Sequence, residues 1–126
     1  MTPILALLLC VILAGLAIFQ ALLIAGLPWG RFAWGGQQTV LPPRLRAGSV
    51  IAIVLYAVFA VVALERANVT DLIPSEAFVT VAMWAIAGYL LLGVVGNLLS
   101  KSASERRTMT PIALVMGVLA VVIAAS

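Results

Sequence analysis

The stretch Pro28-Trp-Gly-Arg-Phe-Ala-Trp-Gly-Gly-Gln-Gln-Thr-Val-Leu-Pro-Pro-Arg-Leu-Arg46 decides how this chain folds. It is the longest interruption in a hydrophobic sequence. It holds two of the three tryptophans, three of the seven basic residues and the Pro42-Pro43 pair. The sequence on either side reads as membrane-spanning helix, so this stretch sets the topology and is the first place to look for a specific activity.

Composition supports that reading. Of 126 residues, 65% are hydrophobic and 9% charged, and the mean hydropathy is +1.28. A soluble domain is about 25% charged, and a chain this apolar lacks the polar surface to face water on all sides. Lipid is the expected solvent, and residues 1–126 are read as one integral membrane domain. The net charge of +3 is then a statement about sidedness rather than a basic face for nucleic acid. Histidine is absent, which removes the commonest general base and the commonest transition-metal ligand. Cys10 is the only cysteine, so an internal disulfide is impossible, and it reads as a small apolar residue inside a helix. No basic residue precedes the first apolar run, which is too long for a signal-peptide core.

Four helices are expected, at about 4–27, 44–67, 75–99 and 110–126. The first run, Ile4 to Leu27, spans roughly 36 Å as a helix, with Gly26 and Pro28 closing it. The second, Ser49 to Leu64, is short and is expected to begin near Pro43, so that Arg44 and Arg46 snorkel to head groups. Ser75 is an N-cap candidate for the third, with Glu76 in its first turn. Thr110 and Pro111 are expected to open the fourth.

The central loop (28–43) and the third loop must lie on one side. Six of the seven basic residues fall in or beside those two loops: Arg31, Arg44, Arg46, Lys101, Arg106 and Arg107. The second loop has Arg66 alone, beside Glu65, Asp71 and Glu76. The positive-inside rule places loops one and three in the cytoplasm and both termini outside.

Small residues recur at helical spacing: Ala14, Ala17, Ala21 and Ala25 in the first helix, and Ala113, Gly117, Ala120 and Ala124 in the fourth. The third carries Ala85, Gly88, Gly93 and Gly96. Such stripes let backbones approach in lipid. They fit packing within one bundle, or an outward face that joins a second copy.

Polar residues inside the spans are few: Gln20, Tyr56, Thr80, Tyr89 and Asn97. No acidic or basic residue lies deep in any span, whereas proton-coupled transporters place one near the midplane. The small multidrug-resistance exporters share this length and helix number, but their first-helix glutamate has no counterpart in Ile4–Leu27. Gln20, Tyr56, Tyr89 and Asn97 can line a polar intramembrane pocket capped by Trp29, Arg31 and Trp34. The other reading is hydrogen bonding between helices.

The central loop has two readings as well. Trp29, Phe32 and Trp34 can form an interfacial aromatic belt, with Arg31 against lipid phosphate. Alternatively the loop re-enters the membrane and binds a lipid or partner through Trp29, Arg31, Phe32, Trp34, Arg44 and Arg46. Asn68-Val69-Thr70 matches a glycosylation sequon, a tripeptide common by chance.

At Pro28–Gln37 and Val40–Arg46 the chain resembles small four-helix membrane proteins of unknown function from actinobacteria. That resemblance implies a bacterial inner-membrane location and no catalytic residue. The expectation is therefore an all-α, four-helix multi-pass protein, not an enzyme, with neither cofactor nor metal and no nucleic-acid partner. Its expected role is accessory, binding membrane lipids or another membrane protein. The alternative is an oligomeric small-molecule transporter or channel component.

Overall fold

The computed structural model describes all 126 residues as an all-helical bundle without strands. Helix α1 spans Thr2–Ile24, α2 Pro43–Arg66, α3 Glu76–Leu98 and α4 Ala103–Ala125. Each is long and apolar enough to cross a membrane. At 23 or 24 residues, each rises about 35 Å. Large apolar side chains such as Ile4, Val11, Ile51, Val81, Leu92 and Val115 cover the outer faces, as lipid-facing surface requires.

The helix ends follow from local chemistry. Gly26, at φ +101°, ends α1 in a Schellman turn: the Leu27 amide donates to Leu22 O and the Gly26 amide to Leu23 O. Asn68, at φ +60°, does the same for α2, through Val69 to Leu64 and Asn68 to Glu65. The asparagine of the sequon is thus a helix-ending residue. Ser75 caps α3 by accepting from the Phe78 amide at 3.2 Å.

The fourth helix departs from expectation, starting at Ala103 rather than Thr110. Ser102 is its N-cap, accepting the Glu105 amide, and Pro111 lies inside the helix. The reason is the Ser102-x-x-Glu105 spacing of a capping box, which starts a helix earlier than a proline can. Pro111 removes one intrahelical donor, a loss that membrane helices accommodate. The connection between α3 and α4 shrinks to four residues, Leu99–Ser102.

The chain forms two hairpins, α1/α2 and α3/α4, closed into a bundle by contacts of α1 with α4 and of α2 with α3. The main core fills the half that holds loop two, with Leu9, Leu13, Val62, Met83, Ala120 and Ile123 buried. The α4 small-residue stripe packs inward there: Ala113, Gly117, Ala120 and Ala124 are all buried, and a Cβ on Gly117 would stand 2.6 Å from Leu91 Cδ2. Ala14, Ala21 and Ala25 of α1 and Ala85, Gly88 and Gly96 of α3 instead face outward. Loops one and three share the other end, where Ser102 Oγ donates to Arg31 O at 2.6 Å.

Candidate functional site

Beneath loop one lies a cavity of about 550 Å³, a size typical of small-molecule sites. All four helices and the loop contribute walls. Gln20, Tyr56, Tyr89 and Asn97 line it together, one or two from each of α1, α2 and α3. The rest is mainly apolar, including Leu16, Phe19, Leu90, Met109, Ile112 and Met116.

The lid is built from the central loop. Two short 3-10 turns, Gly30–Phe32 and Trp34–Gly36, fold the chain back, and Leu23, Ala33 and Leu41 make a small second core beneath them. Phe32, Ala33, Trp34 and Gly35 close the cavity. Trp34 holds φ +52°, a left-handed backbone that costs a non-glycine residue about 1–2 kcal/mol. Its side chain offsets that strain: the indole N–H donates to Ser49 Oγ at 3.2 Å, and the ring lies over Gly48, where a Cβ would come within 2.8 Å of it. At Gly36, φ is +71° and a Cβ would collide with Ser102. Only glycine serves there.

The loop residues divide into two groups. Phe32 and Trp34 line the cavity, while Trp29 and Arg31, expected over the pocket, do not. Trp29, Arg31 and Trp34 are all exposed, and the Arg31 guanidinium sits 4.8 Å from the Phe32 ring. Arg44 is exposed, and Arg46 turns back to donate from Nε to Leu41 O at 2.8 Å.

Two buried polar groups give the cavity its character. Gln20 is 7% exposed and lines the cavity beside Tyr56. Glu105, also 7% exposed, lines the cavity and accepts the Gly35 amide at 3.2 Å through Oε2. Glu105 stands in the first turn of α4 rather than in the third loop. The capping-box spacing with Ser102 is the sequence signal that places it in the first helical turn. No lysine or arginine lines the cavity.

No family model, curated protein or solved structure matches this chain.

One wall is open. α2 and α3 belong to different hairpins and, like α1 and α4, contact each other less than hairpin partners do. The edge-to-face pair Phe59–Tyr89, with centroids 5.5 Å apart, bridges them. On the loop side of that pair the wall includes Tyr89, Leu92 and Gly96, all exposed. In a bilayer this opening faces hydrocarbon. At the other end the main core leaves the cavity blind, since Leu13, Met83, Met116 and Ile123 are buried there.

Proposed function

We propose that this protein is a binding protein of the cell membrane, holding a small amphiphilic molecule in the cavity beneath loop one. The molecule enters sideways from the bilayer between α2 and α3, and its polar end meets the groups under the lid. The gathering of Gln20, Tyr56, Tyr89, Asn97 and Glu105 from all four helices into one mainly apolar cavity carries this reading, because a concave apolar site with a few convergent polar groups is the usual form of a small-molecule site. The packed core at the far end supports binding rather than conduction through a single copy. The role is non-catalytic. Loops one and three lie in the cytoplasm by the excess of basic residues there. Trp29, Arg31 and Arg44, exposed on the loop side, anchor that end to lipid head groups.

Tryptophan fluorescence tests the proposal. Of Trp29, Trp34 and Trp84, only Trp34 lines the cavity. A Trp29→Phe, Trp84→Phe variant in nanodiscs is titrated with a brominated long-chain alcohol. Quenching of Trp34 that saturates near one equivalent is expected, and quenching that merely tracks partition into lipid would refute it.

A further inference from the structure

We infer that the cavity selects a hydrophobic cation, an amine or another bulky onium ion, with its positive charge against Glu105. This rests on the binding reading above and narrows it to one chemical class.

Charge is the first argument. Glu105 is the one acidic residue on the lining and no basic residue joins it. Its single protein hydrogen bond at the carboxylate comes from the neutral amide of Gly35. A carboxylate that is 7% exposed and lacks a cationic partner in an apolar wall gains most from a ligand of opposite charge. An anionic ligand would meet like charge there. A neutral one would leave the carboxylate uncompensated.

The walls give the second argument. Phe19, Phe32, Trp34, Tyr56 and Tyr89 all border the cavity, and aromatic faces attract cations while excluding strongly hydrated ones. Ring faces around one carboxylate form a surface complementary to positive charge on an apolar body. The lateral opening at Tyr89, Leu92 and Gly96 admits such a body from lipid.

Two ions of equal shape and opposite charge test the inference. Tetraphenylphosphonium and tetraphenylborate are each titrated calorimetrically into the wild-type protein in zwitterionic nanodiscs, with empty nanodiscs subtracted. The cation is expected to bind at least tenfold more tightly. Glu105→Gln, whose amide oxygen still accepts the Gly35 N–H, is expected to bring the ratio near one, and Ala52→Phe, which narrows the cavity, to weaken binding of both ions. Equal binding of the two ions by wild type overturns the inference without recourse to any variant. So does an unchanged preference in a Glu105→Gln protein that melts normally. Saturable binding of the brominated alcohol with neither ion bound would remove the cation and leave the cavity reading standing. No saturable binding of any probe would remove both.

Discussion

The Gly35 amide donates to the Glu105 carboxylate at 3.2 Å, fastening the lid of the cavity to the first turn of a helix 70 residues further along the chain. Beside it Ser102 Oγ accepts from the Glu105 amide and donates to Arg31 O. In an ordinary capping box the glutamate returns to the backbone of its own N-cap. Here it reaches across to loop one, so the device that starts α4 also closes the cavity.

Ser102→Ala removes both bonds of that hydroxyl. The cap alone is worth about 1 kcal/mol, and losing the Arg31 contact adds roughly another. The melting temperature in mild detergent is expected to fall by several degrees, with Ser104→Ala next to it nearly silent. Equal melting of the two variants would show that Ser102 does not hold the lid.

Gly48→Val places side-chain atoms where the Trp34 ring lies, since even a Cβ would stand 2.8 Å from that ring. The indole must leave and its bond to Ser49 breaks. Red-shifted Trp34 emission is expected, with weaker binding of the brominated alcohol. Unchanged emission would mean that the indole does not pack there.

Packing predictions separate the two sets of small residues. Gly117→Val drives into Leu91 and is expected to destabilise by about 1–3 kcal/mol. A Cβ on Gly88 meets nothing within 4 Å, so Gly88→Ala is expected to leave melting within about 0.5 kcal/mol of wild type. Chemical denaturation of the two variants in one detergent measures the contrast.

Sidedness is testable with single cysteines on a Cys10→Ser background. Gln37→Cys in loop one and Asp71→Cys in loop two are both exposed positions. A membrane-impermeant maleimide applied to intact cells is expected to label position 71 and to spare position 37 until the cells are broken. The reverse pattern would invert the orientation.

The four-helix layout was legible because long apolar runs and their punctuation act locally. Gly26 and Ser75 end and begin helices through bonds to residues a few positions away. The start of α4 was misplaced because Pro111 is a conspicuous signal, while Ser102 and Glu105 sit inside a charged segment that reads as loop. That error hid Glu105, and with it the charge of the site. Gln20, Tyr56, Tyr89 and Asn97 stood out as polar residues in apolar helices, and the structure brings them to one cavity. That Phe32 and Trp34 border the cavity while Trp29 does not was not legible. It depends on contacts across 15 and 70 positions, and no local pattern encodes them.

The most direct measurement is native mass spectrometry of the wild-type protein beside Ala52→Phe, both extracted gently from the membrane in which they were made. The account predicts a small-molecule adduct on the wild type that is depleted on Ala52→Phe, whose cavity is narrowed. Bare protein in both samples, or the same adduct at equal occupancy on both, would contradict the claim that the space beneath loop one is a binding site.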